Sequence, residues 1–116
     1  MNDQALHTST MVSFAIEDAG LSEAGAVQLL LSGPLDADGA PVLTRELEAR
    51  LASGVLRLEI DMDGVSFLSS AGVGSLISMI GAFRDGGGDI VLRRVSDEVI
   101  NVFELLCLQE HVTIAP

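Results

Sequence analysis

The sequence predicts a single α/β domain, a mixed sheet of four to five strands with helices packed against it in the order β-β-α-β-α-β-α-β. Three observations carry that prediction. A chain of 116 residues has room for one hydrophobic core. Its 48% apolar and 20% charged residues lie within the globular range, away from the composition of disordered chains. Apolar residues then recur with period two in some segments and period 3.6 in others, with turn residues between, which is the pattern of strands joined by helical crossovers.

Residues 1–10, MNDQALHTST, show no sustained period and are expected to fray, leaving 11–116 as the domain. A first strand is expected over Met11–Glu17, where Val12, Phe14 and Ile16 alternate with smaller or polar side chains. Asp18–Gly25 reads as a connection, and Ala26–Gly33 as a second strand that pairs back as an antiparallel hairpin and ends at Pro34. A helix within Leu35–Gly54 is signalled at both ends. Asp38 is expected to cap it, Pro41 suits its first turn, Glu46 and Arg50 stand at i and i+4, and Gly54 follows it. Leu43, Leu47 and Leu51 form its apolar stripe.

Val55–Ile60 alternates again, and Asp61–Gly64 reads as a polar connection. A second helix is expected to start near Ser70, with Val73, Leu76, Ile77, Ile80 and Phe83 on one face. Gly86, Gly87 and Gly88 stop it, and Asp89–Val95 makes a further strand. Ser96, followed by Asp97 and Glu98, opens a third helix whose apolar side holds Val99, Val102, Phe103 and Leu106, and a short apolar run, HVTIA, closes the chain. The expected core is Phe14, Ile16, Leu29, Leu31, Leu43, Leu47, Leu58, Ile60, Leu76, Ile80, Val91 and Phe103.

Charge and composition remove whole classes of function. Seventeen Asp plus Glu against six Arg and no Lys give a net charge of −11, so nucleic acids and anionic membrane surfaces are repelled rather than bound. The missing lysine removes P-loop and Schiff-base chemistry. No signal-peptide pattern and no apolar run of membrane-spanning length is present, so the chain reads as cytoplasmic and soluble. Gly72-Val-Gly74 would need a third glycine at Ile77 to make a dinucleotide loop; the pair more simply lets the helix start approach another backbone closely. His7 lies in the tail, His111 near the far end, and no G-x-S-x-G elbow surrounds any serine, which argues against a hydrolase. Asp61 and Asp63 read first as turn formers, and too few ligands converge on them for a metal. No cofactor is expected either. Cys107 has no partner for a disulfide and reads as a small buried hydrophobe, while Met62 and Met79 read as core or rim residues.

The run Asp61-Met-Asp-Gly-Val-Ser-Phe-Leu-Ser-Ser-Ala-Gly-Val-Gly-Ser-Leu76 is more specific. It resembles the signature of the STAS family, the sulfate transporter and anti-sigma factor antagonist domains, which runs roughly D-x-S/D-x-V-x-F-hydrophobic-D-S-S/A/T-G-hydrophobic-x-x-L. Leu31-Ser-Gly-Pro-Leu-Asp36 likewise resembles the family's L-x-G-x-L-D. The resemblance spans about Met11 to the C-terminus and implies a STAS-like fold. For a stand-alone copy of this length it implies a non-enzymatic, cytoplasmic anti-sigma factor antagonist. Such a protein binds an anti-sigma factor serine kinase, is phosphorylated by it and dephosphorylated by a serine phosphatase, and so regulates sigma-factor-dependent transcription.

Carried onto this chain, the resemblance makes Ser70 the phosphoacceptor, with Asp36, Asp61, Ala71, Gly72 and Gly74 around it. The family's common Asp before that serine is Ser69 here, which makes Ser69 a rival acceptor. Apart from the resemblance, a serine at a helix mouth is most simply a cap for free N–H groups. The alternative is accordingly a STAS scaffold that is never phosphorylated, either a stressosome-type component or the accessory subunit of a lipid-transport ATPase, with Ser70 only a cap.

Overall fold

The computed structural model describes residues 13–115, so the expected tail over 1–10 lies outside the described residues, as do Met11 and Val12. Five strands form one sheet in the order β1-β2-β3-β4-β5: β1 Ala15–Leu21, β2 Val27–Leu35, β3 Arg57–Leu68, β4 Asp89–Arg93 and β5 Thr113–Ile114. The first pair is antiparallel and the others are parallel, joined through α1 (Gly39–Ala52), α2 (Ser70–Asp85) and α3 (Asp97–Leu105). A 3₁₀ turn at Gln109–His111 leads into β5.

Every crossover steps one strand in the same direction. Crossovers of one hand then carry all the helices to one face of the sheet, and the burial pattern follows. Leu29, Leu31, Leu35, Leu58, Ile60, Met62, Ile90 and Leu92 are buried toward the helices. Gln28, Leu30, Glu59, Asp61 and Val91, which alternate with them, are half-buried, and Ser32 and Arg93 are exposed. From the helices, Leu43, Leu47, Leu76, Met79, Ile80, Phe83, Val99 and Phe103 complete the core. Met62 and Met79 thus fill core positions, whereas Phe14, which precedes β1 and lies against Gly39, Ile16 on the edge strand and Val91 on the face that no helix covers are only half-buried.

Several boundaries differ from the sequence expectation, each for a local reason. β1 continues through Asp18 to Leu21 because a bulge absorbs the irregularity there and the Asp18 side chain accepts the Gly20 N–H at 2.7 Å. β2 passes through Pro34 to Leu35, and its register against β3 shifts at Gly33/Pro34, the kind of irregularity where a strand tolerates proline. The expected connection Asp61–Gly64 is part of β3, which runs beside β2 from Leu58 to Leu68 through two such shifts.

Helix caps shift in the same way. Asp38 makes no side-chain cap on α1; Asp36 does, its Oδ1 accepting the Asp38 and Gly39 N–H groups at 3.0 and 2.9 Å. Ser96 caps α3 as expected, accepting the Val99 N–H at 3.2 Å. Beyond α3 the chain turns outward, so Leu106 and Cys107 are exposed rather than buried, and Cys107 takes a left-handed φ of 57°.

Candidate functional site

The carboxyl ends of β2 and β3 lie side by side, with Leu35 opposite Leu68, and α1 and α2 both leave from there. Open parallel sheets place their functional loops at this end. The two strand ends are stitched together by Ser69, whose N–H donates to the Leu35 carbonyl at 3.0 Å. Ser69 has extended backbone and is the N-cap of α2; its hydroxyl accepts the Gly72 N–H at 3.2 Å and reaches back to the Leu35 carbonyl at 3.4 Å. The cap therefore belongs to Ser69, not Ser70.

Ser70 is the first helical residue and is exposed, with no side-chain hydrogen bond among the described residues. Gly72 is buried against the end of β2, where a Cβ would overlap the Leu35 carbonyl oxygen, so the close backbone approach expected of this glycine is present. Gly74 and Ala71 are exposed on the outer side of the same helix start, and a Cβ on Gly74 would meet open space. Asp36 is half-buried and spends one carboxylate oxygen on the cap of α1. Just upstream, Phe67 stands 57% exposed, an apolar ring left uncovered beside the helix mouth.

Asp61 does not join this cluster. It pairs with Leu30 on one side and Arg93 on the other, and Leu30 is five residues short of Leu35, a separation of roughly 16 Å along the strand. Its side chain lies on the sheet face away from the helices, next to that of Asp63, and is bound by Arg94 at 2.7 Å. Burial alone would push the Asp61 carboxyl up, but the hydrogen bonds from Arg94 and from the Asp63 N–H, with the charges of Arg94 and Arg93, outweigh it and hold the carboxyl below its ordinary range. Arg94 reaches this position from a left-handed backbone with φ of 51°.

A shallow groove runs from the helix mouth between α1 and α2, lined by Ala37, Ala40, Pro41, Thr44, Arg45, Glu48, Ala71 and Ser75. At its floor the Thr44 and Ser75 hydroxyls meet at 2.7 Å, and the Ser75 hydroxyl donates to the Ala40 carbonyl at 3.2 Å. Sequence reasoning missed this contact, because nothing in either helix alone says which polar residue faces the other. Among the described residues no group of His, Cys, Asp and Glu could hold a metal ion, and no helix is long and apolar enough to cross a membrane.

Comparison with known proteins gives consistent relatives. The family model described as "Mlab, STAS domain" matches residues 20–114. The anti-sigma-B factor antagonist of Bacillus subtilis is 29% identical over 89 residues, covering 77% of this chain and 81% of that protein. Its counterpart in Listeria monocytogenes is 27% identical over 88 residues, covering 76% and 77%. Among solved structures, the anti-sigma factor antagonist SpoIIAA in its unphosphorylated form superimposes with a TM-score of 0.68 at 19% identity, over 90% of this chain and 88% of that one. SpoIIAA of Bacillus in the phosphorylated form gives 0.67 at 21%, over 90% and 92%. These structures share the fold of this chain.

Proposed function

The chain belongs to the STAS domain family, and on that premise we propose that it is an anti-sigma factor antagonist: it binds an anti-sigma factor serine kinase and is switched by phosphorylation of Ser70. The observation that carries the reading is the division of labour at the start of α2. Ser69 holds the cap and the bond to Leu35, which leaves the Ser70 hydroxyl exposed beside Ala71 and Gly74, open to a partner's active site. The two curated relatives bear the name of anti-sigma-B factor antagonist, and SpoIIAA, which shares this fold, is known in phosphorylated and unphosphorylated forms.

In the proposed step the Ser70 oxygen attacks the γ-phosphorus of the kinase's ATP, the bond to ADP breaks, and the hydroxyl proton leaves to a base of the kinase. A serine phosphatase returns the hydroxyl by hydrolysis. This chain contributes an acceptor, not catalysis. The fold tolerates the product, because a phosphate at a helix N-terminus meets free N–H donors and the positive end of the helix dipole. At the interface the same group is costly, since a dianion faces a surface shaped for a neutral hydroxyl.

Ser69 in place of the family's usual Asp favours a second reading, a STAS scaffold that is never phosphorylated. One experiment separates the two. The chain is incubated with its partner kinase and ATP, and intact mass with fragment mapping is read for a phosphoryl group on Ser70. Modification at Ser70 supports the switch; modification at Ser69 moves the acceptor by one residue; no modification leaves the scaffold.

A further inference from the structure

We propose that the free edge of β3 and the groove beside it dock an extended segment of a partner protein, one that carries an apolar side chain next to a basic one. β3 runs beside β2 as far as Leu68, but β4 accompanies it only from Arg57 to Asp61. The chain leaves β4 at Arg94, where a left-handed backbone with φ of 51° turns it toward α3. From Met62 to Leu68 the edge of β3 that faces away from β2 therefore has no strand beside it among the described residues. Such an edge presents N–H and C=O groups to the next extended chain that arrives. The Asp63 N–H is met locally by the Asp61 carboxylate at 2.9 Å, so the open stretch begins at Gly64.

Three features define the occupant. The edge asks for main chain, and the register shifts of β3 against β2 break its regularity, so a short segment is all that it pairs. The outer edges of the sheet are guarded by comparison: β1 carries Glu17, Asp18 and a bulge, and β5 is two residues long, whereas β3 from Gly64 to Leu68 has neither a charge nor a proline. Beside that stretch a groove of about 310 Å³ opens toward α3, with Val65, Phe67, Leu68, Val99 and Val102 on its walls, and the Phe67 ring is 57% exposed there. An open aromatic ring on an apolar groove takes an apolar side chain. Glu98 stands on the rim without an ion pair among the described residues, with Asp97 before it. Arg93 and Arg94, the arginines closest to it in sequence, are held by Glu59 and Asp61, and the whole chain carries −11, so the complement on the partner is a cation. Docking here is independent of whether Ser70, just beyond the end of β3, is phosphorylated.

The test does not need the kinase. The full chain, labelled with nitrogen-15, is titrated by NMR to millimolar concentration with the hexapeptide acetyl-Lys-Val-Arg-Val-Lys-Val-amide, and the amides that shift are mapped. The expected shifts lie over Gly64–Leu68 and Ser96–Val102. Phe67→Ala is expected to weaken binding about tenfold and Glu98→Gln about twofold to fivefold, while Glu48→Gln, in the α1–α2 groove, leaves it unchanged. The same peptide N-methylated throughout, which cannot donate main-chain hydrogen bonds, is expected to bind at least about tenfold more weakly. No binding at millimolar peptide, shifts centred elsewhere, or equal binding of the N-methylated peptide would each overturn the proposal. Binding that appears only after residues 1–12 are removed would assign the groove to that segment, and shifts of the same amides with protein concentration alone would assign it to a second copy. Either result replaces the partner proposed.

Discussion

The Ser69 N–H donates to the Leu35 carbonyl at 3.0 Å, so the residue that caps α2 also ties the end of β3 to the end of β2. One side chain and its own backbone thus close the sheet and start the helix. Ser69→Ala removes the cap and is expected to cost about 1 kcal/mol, a fall of about 4 °C in the melting temperature. Ser70→Ala is expected to leave that temperature unchanged, and Ser69→Ala to remain a kinase substrate. Equal losses for the two variants in thermal unfolding would contradict the assignment of the cap.

Partner binding should separate from stability at Ser70. Ser70→Glu is expected to keep the melting temperature within a degree or two while weakening binding to the kinase by about 30-fold to several thousand-fold, the equivalent of about 2–5 kcal/mol. Ser70→Ala is expected to bind and to stay bound in the presence of ATP. Calorimetric titration of each variant with the kinase measures this, and tight binding by Ser70→Glu would sink the switch.

Gly72 has no room for a methyl group, because its Cβ would overlap the Leu35 carbonyl oxygen, a backbone atom that cannot swing aside. Gly72→Ala is expected to destabilise by about 1–3 kcal/mol, whereas Gly74→Ala, whose Cβ meets open space, should be neutral or stabilising by up to about 1 kcal/mol from helix propensity. Urea unfolding of both variants checks the contrast.

On the second helix, Leu76 is fully buried while its neighbour Ile77 is only half-buried. Leu76→Ala is expected to cost about 2–5 kcal/mol and Ile77→Ala distinctly less. A reversed order in denaturant unfolding would mean that α2 is rotated from the orientation described.

The Asp61–Arg94 pair predicts a pH dependence of defined sign. The Asp61 carboxyl is held below its ordinary range in the folded chain, so its contribution is present above the unfolded value of about 3.9 and is lost as pH falls through the lower folded value. The stability gap between the parent and Asp61→Asn should be constant from pH 7 to about 5 and close below about 4. A gap that persists at low pH would show that the hydrogen-bonding shape, and not the charge, matters there.

Most of the architecture could be read from periodicity, because the strands and helices alternate cleanly and Leu43, Leu47, Leu76, Ile80 and Phe103 mark the faces that meet. The polar run Asp61-Met-Asp-Gly hid the second half of β3: its outward residues face solvent, and only the single inward Met62 betrays a strand. Read as a loop, that run puts Asp61 at the helix mouth, whereas it belongs to the middle of the sheet. Ser70 and Gly72 were legible through the motif. Sequence alone puts the cap at Ser70, one residue late, since Ser69 and Ser70 are chemically identical and only the backbone, extended at one and helical at the other, decides which hydroxyl turns inward.

Because each strand of the sheet lies beside the one made just before it, the domain can be assembled in the order of its synthesis. The β1–β2 hairpin is complete before α1 emerges, β3 then docks on β2 over eight paired positions, and β4 on β3 over five. No strand has to insert between two that are already paired, although each parallel pairing still waits for a helix to be made and joins residues far apart in the chain, such as Leu58 and Ile90. The last strand, β5, adds only two paired positions, Val91 with Thr113 and Leu92 with Ile114. It is therefore the margin from which the native state should open first, and its amides should exchange with deuterium well ahead of those of β2 and β3.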